Sequence, residues 1–572
     1  MSGRPSRHLT IVKLEGERKQ AVETGRNRLL VAGAVFASGF LMIAIRLVDV
    51  ALVKSGDEPN LARERASEQI RTGRADIVDR NGVLLATTLA TASLYANPKT
   101  VPDAKRAARR LVKVLPDLNQ ANVLAKLTSK RRFVWLKRHL TPEQQYEVNR
   151  LGVPGFDFQR EERRVYPLGR LAAHILGHTD IDNRGLAGIE RYFDEDLRAR
   201  PTPLVLSVDV RIQNIVTHEL RRARREYRAA AAAAIVLDAR NGEIVAMASL
   251  PDFDPNRPAD IIDAARFDRN ALGVYEMGST LKIFTTAMAL ETGAVKLTGG
   301  YDATRPIRVS PYWIRDHGAK RRWLSVPEIF IYSSNIGSAR MAMAVGGKRQ
   351  RAFMGRFGLL SRPSIQLAEV GAPLTPTKWR DINTMTIGFG HGIAVSPVQL
   401  VGGVAAVVNG GVFFPPSLIV KPKDAPIIGT RVVSTATSDK MRRLMRLAVQ
   451  RGTGRRAAAT GYMVGGKTGT AEKITARRYS RKALLSSFVG AFPIQAPRYV
   501  VFAMLDEPRG TRRTRGYATG GMVAAPIVSN IVSRIGPALG IPTVDEEARK
   551  LKRRMAVRVM TMRNGVRRIA SE

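Results

Sequence analysis

Three short stretches of this chain carry groups that could act together on a carbonyl. Ser279 and Lys282 lie three residues apart at the start of a helical pattern continued by Ile283, Ala287 and Leu290, directly after Gly278. Residues at that spacing share a helix face, so the hydroxyl and the amine are neighbours. A serine hydroxyl is a poor nucleophile until a base takes its proton. A desolvated lysine beside another cation has its pKa lowered enough to serve. The helix N-terminus also favours negative charge developing nearby. Alone, S-x-x-K arises by chance in most chains of this length, and the bland alternative is a capping serine with a surface lysine. Ser333-Ser334-Asn335 begins 54 residues after Ser279, and Lys467-Thr468-Gly469-Thr470 a further 134 on. The Ser333 hydroxyl can relay a proton, and the Asn335 amide can hold a substrate backbone. A strand carrying Lys467 can bind a carboxylate, with Gly469 letting that backbone lie close. Together these groups could support attack of an activated serine on a carbonyl.

A rival occupies the same place. Gly461 to Thr468 matches the phosphate-binding pattern G-x-x-x-x-G-K-T, and residues 500–505 followed by Asp506 imitate a magnesium-binding strand. That pattern needs an apolar strand just before it and a helix just after. Arg455-Arg456 and three alanines precede Gly461, while Gly469 and a polar turn follow Thr468, so the ATPase reading fails. His391, between two glycines, could be taken for a general base; a turn or groove histidine with a structural role is the expectation.

The elements that must position these groups are legible in outline. Residues 229–237 and 244–249 flank Asn241-Gly242 and predict a hairpin. Residues 483–492 and 499–505 predict two adjacent strands, and the region between the pairs is mainly helical. The fold class is therefore mixed α/β (α+β), an antiparallel sheet covered by helices. Residues 54–202 have a different texture, short strands mixed with charged helical stretches. Of 572 residues none is cysteine, which excludes disulfide scaffolds, thiolate zinc sites and cysteine nucleophiles.

The formal net charge is +43, with +4 in residues 1–28, +5 in residues 541–572 and the remaining +34 spread over the body. Such charge is a nucleic-acid signature, but anionic membranes attract it equally. Residues 29–45 are free of charged side chains, and the apolar run resumes after Arg46 to residue 53. This predicts a single transmembrane anchor rather than a cleaved signal peptide or a buried core helix. Arg26 and Arg28 before it put the N-terminus in the cytoplasm and the rest outside, away from nucleic acid. The basic tail from Thr543 is expected to be a solvated extension, with membrane-surface docking as the alternative.

S-x-x-K, a serine–asparagine motif and K-T-G in this order are the signature of serine β-lactamases and penicillin-binding proteins. The sequence resembles class B penicillin-binding proteins, and among them the division-specific, FtsI-type peptidoglycan transpeptidases. The resemblance includes Asp79-Arg80-Asn81-Gly82, Arg164-Val165-Tyr166-Pro167, residues 173–177, Gly185 to Glu190, Leu206 to Asp209, Arg269-Asn270, Gly388-Phe389-Gly390 and Pro397 to Leu400. It implies a cytoplasmic segment (1–28), an anchor (29–53), an elongated pedestal domain of the dimerisation type (54–202), a transpeptidase domain of the penicillin-recognising serine fold (203–540) and a basic tail (541–572). It also implies that Ser279 attacks the penultimate D-alanine carbonyl of a stem peptide, with Lys282 as base and Ser333 passing a proton to the leaving D-alanine. Backbone amides of Ser279 and Thr470 would form the oxyanion hole. Lys467, Thr468 and Thr470 would hold the terminal carboxylate, and Asn335 a donor amide. No metal or cofactor is implied. The implied partners are peptidoglycan stem peptides, β-lactam antibiotics and division proteins including a polytopic, FtsW-type glycosyltransferase. The implied site is the bacterial inner membrane, with the catalytic domain in the periplasm. The residues leave three alternatives: an elongation-specific transpeptidase, a β-lactamase or carboxypeptidase, and a non-catalytic wall scaffold or β-lactam sensor. Ser334 in place of the lactamase aspartate disfavours the second. Met277 stands where the family usually has proline, and Ser396 where threonine is common.

Overall fold

The structure, a computed structural model, describes residues 30–45, 73–309, 311–422, 428–475, 478–563 and 566–569. The chain divides into two units, residues 1–72 and 73–572. In the first, residues 30–45 form a helix exposed along its whole length, including Leu30, Phe36, Phe40 and Ile43. No described helix is long and apolar enough to cross a membrane. The expected cytoplasmic segment, residues 29 and 46–53 of the expected anchor and residues 54–72 of the expected pedestal lie outside the described residues.

The second unit begins with a five-stranded sheet built around the long strand Leu84–Ala96, which pairs with Ile77–Val78, Val134–Leu140 and Phe156–Val165. Helices Ala104–Val114, Gln120–Leu127 and Pro142–Arg150 close a small separate core on it. Each helix opens on a residue that caps its N-terminal amides: Asp103, Asn119 and Thr141. Beside this sheet Glu190, fully buried, accepts from Arg74 and from Arg164 Nε at 2.7 Å. The shared motifs here serve as turns and ties. Asp79 accepts from Val210 N at 3.0 Å and Arg80 pairs with Glu243, while Gly188 N donates to Glu369 at 3.0 Å.

The larger sheet is antiparallel. Its strands are β1 (Ala231–Asp238), β2 (Ile244–Leu250), β3 (Gly465–Thr475), β4 (Arg478–Phe492) and β5 (Tyr499–Asp506), in the spatial order β3-β4-β5-β1-β2. Both hairpins form as expected; β1 against β5 joins the two ends of the domain. Every residue of β1 is buried because both faces are covered, which is why its sequence is a continuous apolar run. Ala232, Ala234 and Val236 pack under helices α1 (Val210–Glu226) and α7 (Ala525–Ala538). Ala233, Ile235 and Leu237 face the other core, built on α2 (Lys282–Glu291), α3 (Val326–Tyr332), α4 (Asn335–Val345), α5 (Pro397–Val408) and α6 (Thr435–Gln450). Residues Lys282 to Leu290 of α2 are all buried, so this helix runs through the middle of the core.

The basic tail departs from expectation. Among its described residues, one face is packed on the domain: Met555, Val557 and Val559 are buried in the main core. Their alternation with exposed Arg558 gives the segment one apolar face. Val544 N donates to Gly461 O at 3.0 Å, and Glu546 accepts from Arg446, whose other nitrogen donates to Val464 O at 3.0 Å. The tail thereby ties down the root of β3.

Candidate active site

Ser279 lies in a 3₁₀ turn, Gly278–Leu281, that runs into α2. Gly278 has φ +54°, and a Cβ there would stand 2.8 Å from Thr470 O, so the turn is pressed against β3. The Gly388-Phe389-Gly390 motif supplies the other wall, since a Cβ on Gly390 would overlap the Gly278 carbonyl. Ser333 ends α3 in the left-handed conformation, φ 58° and ψ 44°, which is rare for a residue with a Cβ. That outlier sits at the centre of the site, as stored backbone strain often does.

The sequence-predicted groups converge. Lys282 Nζ donates to Ser333 Oγ at 3.1 Å, to Ser333 O at 2.5 Å and to Asn335 Oδ1 at 2.7 Å. Lys467 Nζ donates to the same Ser333 Oγ at 2.9 Å. Lys282 is 1% exposed and Lys467 0%. Burial, then the adjacent Lys467 ammonium, hold the Lys282 pKa well below that of an ordinary lysine, against an upward pull from Asp316. Burial brings Lys467 down to about 7. Two lysines around one hydroxyl cannot both stay charged comfortably, so a neutral amine is available beside Ser333 to accept a proton.

Ser279, Ser333, Asn335, Thr468 and Thr470 line one cleft of about 770 Å³. Lys467, expected to bind a substrate carboxylate, is buried at the floor of that cleft, with its Nζ on the hydroxyl of cleft-lining Ser333. Alternation along β3 sends Lys467 and Gly469 inward and leaves Thr468 and Thr470 on the cleft. Gly469 is required for packing: a Cβ there would meet Ser487 Oγ and, at 2.7 Å, Met277 O. The phosphate-loop alternative also falls, because Lys467-Thr468 lies inside a strand.

Three contributors had not been anticipated. Asp316, after the hairpin of strands Ile307–Val309 and Tyr312–Ile314, accepts from Ser334 Oγ at 2.7 Å, Asn335 N at 2.5 Å and Ile336 N at 3.0 Å. It therefore caps α4 and fixes Asn335, whose Nδ2 donates to Arg315 O at 2.9 Å. Thr453 Oγ1 lies 2.7 Å from Thr468 Oγ1. Glu276 accepts from Gly392 N at 2.8 Å and its other oxygen is 3.2 Å from His391 Nδ1. His391 is thus held at the cleft wall by a carboxylate, consistent with a structural histidine. No sequence motif marks Asp316; a Gly-Thr-Gly triplet around Thr453 was the faint signal there.

A serine at a helix start, two buried lysines around a second serine and the edge strand of an antiparallel sheet define a serine acyltransferase of the penicillin-recognising class. Residues 232–533 match the penicillin binding protein transpeptidase domain and residues 69–225 the penicillin-binding protein dimerisation domain. The chain belongs to the penicillin-binding protein transpeptidase family. It is 39% identical over 488 residues, 83% of either chain, to the probable peptidoglycan D,D-transpeptidase FtsI of Caulobacter vibrioides. It is 30% identical over 549 residues, 89% of this chain and 91% of the relative, to the peptidoglycan D,D-transpeptidase FtsI of Escherichia coli K12. A crystal structure of penicillin binding protein 3 from Mycobacterium tuberculosis complexed with ampicillin superposes with a TM-score of 0.67 at 25% identity, covering 84% of this chain and 98% of that one.

Proposed function

We propose that this protein is the division transpeptidase of the bacterial wall, a serine-type peptidoglycan D,D-transpeptidase that β-lactams acylate. The observation that carries this is the bonding of Lys282, Ser333 and Lys467 around one hydroxyl in the cleft that Ser279 lines. Ser279 is the nucleophile, and Lys282, neutral because it is buried beside Lys467, takes its proton. Ser333 passes that proton to the departing D-alanine. Backbone N–H groups of Ser279 and Thr470 stabilise the oxyanion, in the corner where the nucleophile turn touches β3. The edge position of β3 leaves a row of backbone groups on which an extended stem peptide can lie as an added strand. Thr468 and Thr470 bind its terminal carboxylate, Asn335 a donor amide, and Lys467 acts through Ser333. The amine of a neighbouring stem then takes the acyl group and forms the crosslink.

The membrane assignment rests on the exposed apolar helix at residues 30–45, within the uncharged run 29–45. The single-pass anchor (29–53), cytoplasmic N-terminus, periplasmic pedestal (54–202) and transpeptidase domain (203–540) follow from it, as does contact with a polytopic glycosyltransferase of the division machinery. Labelled penicillin is expected to form a stable adduct on Ser279, located by mass spectrometry, that Ser279→Ala abolishes. Rapid turnover of the adduct would instead mark a β-lactamase, and complementation of growth by Ser279→Ala a scaffold.

A further inference from the structure

The cleft needs positive charge where a substrate carboxylate lies, and neither active-site lysine supplies it there. Lys282 and Lys467 are both buried and bonded to Ser333. Two arginines, Arg455 and Arg456, line the same cleft as Thr468. They sit in the turn after α6, which Thr453 fastens to β3 through its 2.7 Å contact with Thr468 Oγ1. Both arginines are exposed, and Arg455 uses one nitrogen on Arg451 O at 3.3 Å. Among the described residues neither guanidinium is paired with a carboxylate.

We propose that Arg455 and Arg456 form the acceptor subsite, binding the carboxylate of an incoming amine that carries the two groups on one carbon. This rests on the transpeptidase reading above. The acyl-enzyme is an ester of Ser279, and its leaving amine departed past Thr468 and Thr470. By microscopic reversibility a second amine approaches the ester carbonyl along the path the first one left. An amine with an adjacent carboxylate reproduces the departed D-alanine, so its carboxylate falls beside Thr468, in the cleft that Arg455 and Arg456 also line. Such planar donors match a carboxylate two bonds at a time. In the step itself the acceptor nitrogen forms a C–N bond to the acyl carbon and the carbon–Oγ bond of Ser279 breaks. The proton lost by the amine returns through Ser333 and Lys282 to Ser279 Oγ. No further reactant is needed. The subsite also selects against water, which has no carboxylate to hold.

The test compares two acceptors on one enzyme. The full-length protein is loaded from a D-alanine thioester donor with an uncharged leaving group. The acyl-enzyme is then partitioned between water and either D-alanine or D-alaninamide. Wild type is expected to favour D-alanine over D-alaninamide by at least about tenfold, the worth of a charge-assisted hydrogen bond. Arg455→Ala/Arg456→Ala should bring that ratio close to one, Arg455→Lys/Arg456→Lys should keep most of it, and Arg455→Glu/Arg456→Glu should invert it. An unchanged ratio in the double alanine variant overturns the proposal while a normal penicillin adduct leaves the transpeptidase reading standing. Absence of that adduct in wild type removes both.

Discussion

Two places in this molecule bury several cations around one oxygen-bearing group, and they handle the charge in opposite ways. Beside the first sheet, Arg74 and Arg164 close on Glu190, so a full negative charge meets them. Beneath the cleft, Lys282 and Lys467 close on Ser333, a neutral hydroxyl, and Asp316 acts on Lys282 only through space. Arginine cannot give up its proton in a protein, so the first cluster must supply a carboxylate. Lysine can, and the second cluster makes it do so by withholding one. The first arrangement holds two segments together; the second prepares a base.

The sharpest way to break the comparison is to remove one charged group from each. Lys282→Met is expected to lower the rate of penicillin acylation on the order of 10³-fold, the worth of a positioned base. Ser333 O and Asn335 Oδ1 then lose a donor, costing about 1–3 kcal/mol of stability. Glu190→Gln is the mirror image. It leaves the buried Arg164 guanidinium without its counter-charge and Arg74 with Asp194 alone, and should destabilise the fold by about 3–5 kcal/mol in denaturant titrations. Acylation per folded molecule should stay within about twofold of wild type, within the scatter expected for distant independent sites. A large acylation loss in folded Glu190→Gln protein would show that the two clusters are coupled.

That difference was half legible in the sequence. Ser279 and Lys282 were readable because a three-residue spacing fixes a shared helix face, and both hairpins because short continuous apolar runs flank turn residues. The orientation of Lys467 was in principle readable too: in K-T-G-T on a strand, Lys467 and Gly469 must share one face and Thr468 and Thr470 the other. The motif's association with carboxylate binding obscured that alternation. The packed tail carried the same signal in Met555, Val557 and Val559. Asp316 and the Glu190 cluster were not readable in the same way. Each depends on segments far apart in sequence meeting in space, and a lone Asp or Arg looks like solvated surface until they do.

The comparison can be sharpened with pH. Lys467 has its pKa lowered to about 7 in the folded state, against about 10.4 for an exposed lysine in the unfolded chain. Between those values the unfolded chain binds more protons than the native one, so stability rises with pH. Wild type is therefore expected to gain stability relative to Lys467→Met from about pH 7 to about pH 10, the window set by these two values. Glu190→Gln should show no such gain relative to wild type. Because the Lys467 charge depresses the Lys282 pKa, Lys467→Met should also move the rising limb of the acylation profile to higher pH. A limb that moved to lower pH would mean that the two amines do not repel one another.

The smallest effect concerns the one carboxylate the cleft cluster does employ. Asp316 stands off Lys282 and instead takes the first amides of α4 together with Ser334 Oγ. Its negative charge also raises the Lys282 pKa, so by itself it works against the lowering that burial and Lys467 produce. Asp316→Ala therefore has two opposed consequences. Helix α4, left with the Ser334 cap alone, should lose about 0.5–2 kcal/mol, a cap's usual worth, and Asn335 should lose its fixed position. Lys282 should become easier to deprotonate, moving the acylation limb to lower pH. Acylation at pH 8 is expected to fall about tenfold, the cost of a misplaced substrate-binding group outweighing the more available base. Asp316→Asn, which keeps an oxygen for the amides but not the charge, separates the two. It should recover most of the rate while keeping the shift to lower pH. Were it as slow as Asp316→Ala at every pH, the charge itself would matter to the cleft, and the contrast with the Glu190 cluster would narrow.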